Sequence, residues 1–115
     1  MISRQFRFHG HNSLTYLFRN GKTVRGEFIS LKYVASKSDD YRLAVIVSKK
    51  VSKKAVVRNR IRRRIYEIIR TTKIGSNKPW PYDMSIQVFD ESLATAPHDY
   101  LHSEITKLLK KANII

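Results

Sequence analysis

The chain reads as an α+β domain whose elements run helix, strands, long basic helix, strand, helix. Three observations predict it. Apolar residues recur at the helical period of about 3.6 in three stretches and at the strand period of 2 in the segments between them. Glycine, proline and short polar clusters fall at the joints, and the loops they mark are too short to separate two domains. The 115 residues, 42% of them hydrophobic, are enough for one core that buries roughly 65% of the unfolded chain's surface. No internal repeat or low-complexity tail interrupts the order.

The first helix carries Leu14, Leu17 and Phe18, with Asn12 or Ser13 placed to cap it and Gly21 where a left-handed helix end is expected. Gly26 then breaks the pattern. From Glu27 to Val34, Phe28, Ser30 and Lys32 alternate with Ile29, Leu31 and Tyr33 as in a strand. Ser36 to Asp40 is a polar turn, and Arg42 to Val47 is a nearly continuous apolar run, which predicts a central strand covered on both sides. Ser52 is placed to cap the basic helix, which is expected to run to about Thr72. Gly75, Pro79 and Pro81 then force a loop. Met84 to Phe89 supplies a further strand. After a second loop ending near Pro97, Leu101, Ile105, Leu108, Leu109 and Ala112 stripe a closing helix, with Lys107, Lys110 and Lys111 toward its carboxyl end.

The stretch Val47 to Arg64, VSKKVSKKAVVRNRIRRR, says most about function. On a helical wheel centred on Ile61, Val57, Ile65 and Ile68 lie within about 45°, which makes a buried stripe. Asn59, Arg63 and Arg70 fall opposite, with Arg60 and Arg62 on the flanks, so a helix anchored in the core projects a fan of guanidinium groups. Arginine offers planar, bidentate donors suited to phosphate oxygens and guanine edges. Lys49, Lys50, Lys53 and Lys54 add point charges just ahead of it. A solvated salt-bridge face would need acids at i+3 or i+4, and only Glu67 is available in this helix.

Composition agrees. Twenty-three Lys and Arg against nine Asp and Glu give a formal charge of +14, where a small domain needs only about 2 to 8 for solubility. Such a balance marks a nucleic-acid partner, and that partner should stabilise the self-repelling fold as well as occupy it. There is no run of about 18 apolar residues to span a bilayer, and residues 1–11 lack the apolar centre of a secretory signal, so a cytoplasmic location is expected. The absence of cysteine removes disulfides, thiolate zinc sites and a cysteine nucleophile together, so stability must come from packing.

The segment KKVSKKAVVRNRIRRRIYE, Lys49 to Glu67, resembles the signature of the protein subunit of bacterial ribonuclease P. Arg58, Asn59 and Arg60 match its central Arg-Asn-Arg. Ile61, Arg62 and Arg63 fit the Ile-Lys-Arg that follows, and Glu67 matches its closing acid. Tyr66 departs from the pattern, since the family commonly places Arg there. The likeness extends to the Phe18-Arg19-Asn20-Gly21 turn, the strand after Asp83 and the terminal helix. It implies a two-layer sandwich of a mixed four-stranded sheet with three helices, the basic helix lying in a left-handed crossover between parallel strands against the usual rule. That sheet has one strand more than the pattern alone delivers, and Gly26 is where Val24 to Val34 would split in two.

The resemblance further implies a single RNA-binding domain over residues 1–115 that serves as one subunit of a tRNA-processing endonuclease. The RNA subunit would hold the catalytic site and most of the Mg2+, cutting precursor tRNA to release its 5′ leader, and the protein would have no catalytic residue. Lys49, Lys50, Lys53, Arg58, Asn59, Arg60, Arg62 and Arg63 would contact the catalytic RNA, with one protein monomer per RNA. A cleft between the first helix and the sheet would hold the single-stranded leader. Phe18, Phe28 and Tyr33 are the candidate rings, because stacking a base on an aromatic ring is worth about 1–3 kcal/mol and tolerates any sequence. Leu14 stands where the family often has another aromatic. Ordinary core packing is the competing role for each ring.

Other constellations point nowhere else. His98 and His102 stand four apart on a helix, but Asp99 is not the Glu of a metalloprotease and no third ligand is evident. His9 and His11 belong to a basic arm able to meet phosphate. Asp39 and Asp40 suit local turn bonds, and no second carboxylate cluster assembles a two-metal nuclease. The same basic face would serve a structural, ribosome-associated RNA-binding protein equally well. A DNA-binding module is disfavoured because no short helix precedes the basic one as in a helix-turn-helix.

Overall fold

The computed structural model describes residues 11–37, 40–76 and 78–115, with side chains from residue 14 onward. In chain order the elements are α1 (His11–Asn20), β1 (Lys22–Arg25), β2 (Ile29–Ala35), β3 (Arg42–Ile46), α2 (Ala55–Ser76), β4 (Tyr82–Val88), a 3₁₀ turn (Glu91–Ala94) and α3 (His98–Lys111). Gly26 does divide the second apolar segment. Its N–H donates to the Ile29 carbonyl at 2.8 Å, closing a hairpin in which Arg25 faces Ser30 and Lys22 faces Tyr33.

The sheet is mixed, in the order β1-β2-β4-β3. β2 runs antiparallel to both β1 and β4, whereas β3 and β4 are parallel and α2 is the crossover between them. One sheet face is apolar: Ile29, Leu31, Leu43, Val45, Met84, Ile86 and Val88 join Ile61, Ile65, Ile68 and Ile69 of α2 and Leu101, Ile105, Leu108 and Leu109 of α3 in one buried cluster. The predicted stripe on α2 is therefore the face that docks, with Val57 partly buried at its start. Side chains alternate across a strand, so Ser30, Lys32 and Val34 look the other way, and α1 lies against that second face through β2.

Five expectations need correcting. β3 is an edge strand, not a central one, and its side chains alternate between buried and half-buried. Its continuous apolar run misleads because Ala44 and Ile46 occupy the less covered face. Part of the outer edge of β3 is nonetheless satisfied, since the Tyr66 hydroxyl donates to the Leu43 carbonyl (3.4 Å) and accepts the Val45 N–H (3.3 Å), two groups a neighbouring strand would otherwise bind.

The basic helix continues to Ser76, past the expected end near Thr72. Gly75 costs only about 1 kcal/mol inside a helix, and it is Pro79, which excludes the helical region for Lys78, that stops the chain. Ser52 is not the N-cap; its hydroxyl accepts the Lys54 N–H at 3.3 Å in the turn before the helix. At the other helix, Asn12 and Ser13 lie inside α1 rather than capping it. Gly21 is not left-handed. It is needed for close approach, because a Cβ there would stand 2.6 Å from the Leu17 carbonyl oxygen and 3.0 Å from Lys32 Cγ.

Candidate nucleic-acid interface

The chain leaves β3 at Ile46 and reaches α2 through a loop that the helix itself ties down. Val51 N–H closes a turn on the Ser48 carbonyl at 3.0 Å. Arg58 reaches back to the Ser52 carbonyl at 2.9 Å, and Arg62 donates to the Val47 carbonyl at 3.2 Å and to Asn59 Oδ1 at 2.8 Å. Each guanidinium has five N–H donors, so these bonds fix the groups without exhausting them. Lys49, Lys50 and Lys53 stand exposed on the strapped loop, and Asn59, Arg60 and Arg63 stand exposed on the helix. The eight predicted RNA-contacting residues thus share one continuous surface.

Arg64, next in the row, does something else. Its guanidinium donates to the Leu93 carbonyl at 2.6 Å and the Ala96 carbonyl at 2.5 Å, clamping α2 to the loop before α3. Burial, followed by the charge of Arg60, lowers its pKa from the ordinary arginine value. Arg60, Arg63 and Arg64 then line a groove of about 390 Å³ against Glu67, Ile68 and His98. Among the described residues, none of the five arginines from Arg58 to Arg64 is paired with a carboxylate. Glu67 is engaged by Arg70 through two hydrogen bonds, and its pKa is held below the usual carboxylate value chiefly by that bond.

The three predicted cleft rings are not brought together. Phe18 is 47% exposed on α1, with the Lys32 ammonium 5.7 Å from its ring centre and bonded to its backbone carbonyl at 3.0 Å. Tyr33 adjoins Lys32 in β2 and so points to the opposite face, where it packs on the core with its ring edge-on to Tyr82 at 6.1 Å. Phe28 precedes β2 and is half-buried against the same core.

Comparison with known proteins settles the family. The family model described as Ribonuclease P matches residues 2–113. The chain belongs to the ribonuclease P protein family. The ribonuclease P protein component of Prochlorococcus marinus (strain AS9601) is 34% identical over 93 residues, covering 69% of this chain and 73% of that one. That of Pseudanabaena sp. (strain PCC 6903) is 30% identical over 117 residues, covering 100% and 97%. The RNase P protein of Staphylococcus aureus superposes with a TM-score of 0.80 at 23% identity, covering 95% of this chain and 96% of that one, which establishes the shared fold.

Within this ribonuclease P protein fold, sequence reading missed several residues of the interface region. Arg64's clamp and Lys32's approach to Phe18 depend on partners 29 and 14 residues away, which no local pattern reveals. Tyr16, 55% exposed on α1, carried a signal that was there to be read, an aromatic off the apolar stripe. Asp83 binds Arg42 across β3 and β4 with two bonds of 2.8 and 2.9 Å while itself buried. His98 and His102 stack at 6.0 Å, and among the described residues no three His, Cys, Asp or Glu side chains group as a metal ion would require. His9 and Asp39 lie outside the described residues, as do the side chains of His11, Asn12 and Ser13. Of the described helices, none is long and apolar enough to cross a membrane.

Proposed function

We propose that this chain is the RNA-holding subunit of ribonuclease P, supporting 5′ maturation of tRNA while the RNA subunit, with Mg2+ held mainly by RNA, cuts the phosphodiester. The observation that carries the reading is the strapped basic surface. Lys49, Lys50, Lys53, Arg58, Asn59, Arg60, Arg62 and Arg63 stand on the loop and the helix it leads into, paired with no carboxylate among the described residues, and Arg58 and Arg62 strap the loop to the helix. Preorganised guanidinium groups lose less freedom on meeting phosphate, which suits a structured RNA. In this reading one protein binds one catalytic RNA in the cytoplasm, and no side chain of the protein takes part in the chemistry.

Precursor tRNA is the second partner in this proposal, with its single-stranded leader passing over the α1 side of the sheet. Phe18, exposed beside Lys32, is the ring free to stack on a leader base. Phe28 and Tyr33, set against the core, hold the sheet from beneath. The test is cleavage of precursor tRNA at low Mg2+ by the RNA subunit of the same genome, with and without this protein, at two salt concentrations. Stimulation should fall as salt rises, each phosphate contact adding about 0.7 to 0.9 to the log-log slope. A folded, RNA-binding protein that gives no stimulation would instead identify a structural RNA-binding protein. Substituting Arg58, Asn59 and Arg62 with Ala should abolish assembly with the RNA subunit, whereas Phe18→Ala should weaken precursor binding and leave assembly intact.

A further inference from the structure

A second feature lies far from the strapped loop. About 360 Å³ of space opens where the end of α1, the β1–β2 hairpin, the start of β4 and the end of α3 meet. The basic loop leaves the sheet at the opposite end of the parallel β3–β4 pair, next to Gln87, while the pocket sits at Tyr82. The seven residues of β4 separate them by about 20 Å at 3.3 Å per residue. The two sites also lie toward opposite edges of the sheet, since α2 packs on β3 and the pocket reaches to β1.

Five side chains give the pocket its chemistry: Asn20, Lys22, Tyr33, Tyr82 and Asn113. The two rings meet edge-to-face at 76°, so they form an aromatic corner in which one ring face can take a flat base and the other ring abuts its edge. Neither phenol hydroxyl is bonded to another described residue. The Asn113 carboxamide offers paired donors and an acceptor, and that of Asn20, one of whose N–H groups donates to the Tyr16 carbonyl at 3.1 Å, keeps a second donor and its acceptor, together the complement of a nucleobase edge. Lys22 is exposed at the rim, and Arg25, Lys110 and Lys111 are exposed along the adjoining edge, where Lys111 Nζ donates to the Arg25 carbonyl at 3.3 Å.

Asn113 is the telling residue. It ends α3 in the left-handed region, φ 59°, with its N–H on the Lys110 carbonyl and the next N–H, of Ile114, on the Leu109 carbonyl, both at 3.0 Å. The backbone of such a helix end favours Gly above any other residue. Asn costs conformational energy there, and what it adds is a carboxamide lining the pocket.

We propose that this pocket binds one unpaired nucleotide, its base against Tyr33 and Tyr82 and paired with the Asn20 and Asn113 amides, its phosphate on Lys22. The proposal rests on the RNA-binding reading only for the source of that nucleotide, either a single strand of RNA or a free mononucleotide.

The test is an NMR titration of the full chain, following the Tyr33 and Tyr82 ring protons and the α2 amides, with adenosine monophosphate and with a short oligoadenylate as separate probes. Saturable shifts of both rings are expected. Asn113→Gly, which keeps the left-handed turn, should weaken that site about threefold to tenfold, as loss of one hydrogen bond does, and Lys22→Ala should weaken it further at low salt. Shifts with both probes would mean that a free nucleotide suffices; shifts with the strand alone would mean that RNA is the ligand. Either supports the site. Ring shifts that survive Arg58→Ala with Arg62→Ala would show it independent of the basic helix. Shifts confined to α2, with Tyr33 and Tyr82 unmoved, would overturn the pocket and leave the RNA-binding reading standing. Silence of both rings with either probe would overturn the pocket, whereas the RNA-binding reading falls only if the chain also fails to assemble with the RNA subunit. A site unchanged in affinity by Asn113→Gly would also refute the assignment.

Discussion

The two halves of α2 carry arginine in different ways. In the first, from Ala55 to Arg64, the exposed guanidinium groups are paired with no carboxylate among the described residues, although Glu67 shares a groove with Arg60 and Arg63. In the second, from Ile65 to Ser76, Arg70 is tied to Glu67 and the Thr71 hydroxyl bonds back to the Glu67 and Ile68 carbonyls. Both halves bury the same apolar stripe. What marks an interface is therefore not how many cations a helix holds but how many are left without a local acid. Arg64 refines the point, because it too lacks a carboxylate yet is occupied by two backbone carbonyls.

Substitutions can separate the halves. Ile65→Ala, which empties a fully buried position in the shared stripe, should cost about 2–5 kcal/mol in chemical denaturation while leaving the RNA affinity of the folded fraction unchanged. Arg64→Ala should cost about 2 kcal/mol through its lost clamp, with no change in the salt slope of RNA binding. Its neighbour should behave in the opposite manner. Arg63→Ala is expected to leave stability within about 0.5 kcal/mol and lower the slope of log affinity against log salt by about 0.7 to 0.9. If those two readouts came out exchanged, the division of the helix would fail.

The smallest effect belongs to the paired half. Because the Arg70 bond holds Glu67 below the usual carboxylate range, the pair's contribution is present above the unfolded carboxylate value and fades as pH falls through the folded one. Wild type should therefore be slightly more stable than Glu67→Gln at neutral pH, and the two should converge in acid when denaturation midpoints are compared. A gap that widens toward low pH would contradict the assigned partner.

Much of this was legible in the chain. The period of α2, the stripe of α3 and the Arg-Asn-Arg signature are local patterns, and local patterns set helices and their exposed faces. Gly26 marked a break in the pattern, but β1 before it was expected only from the family resemblance. What escaped depends on pairing across the sheet. The apolar run at Arg42 to Val47 does not say that only β4 will flank it. Tyr33 does not say which face holds α1, and that parity decides whether its ring lies beside Phe18 or on the opposite face beside Tyr82. Asp83 and Arg42, 41 residues apart, find each other only once β3 and β4 align. Tyr66, the position where the signature is broken, has its place fixed by an edge that is invisible before folding.

That tyrosine also sets an order of events. Its hydroxyl reaches the Leu43 carbonyl and the Val45 N–H only after α2 has folded back over β3, a closure spanning more than twenty residues of chain. Until then the strand presents an open ladder to any other extended chain, and non-local closures of this kind form late. The interval of exposure is set by how fast the crossover docks. In a chain whose positive charges already repel one another, charge guards that strand against neighbouring copies early, and a single phenol guards it afterwards.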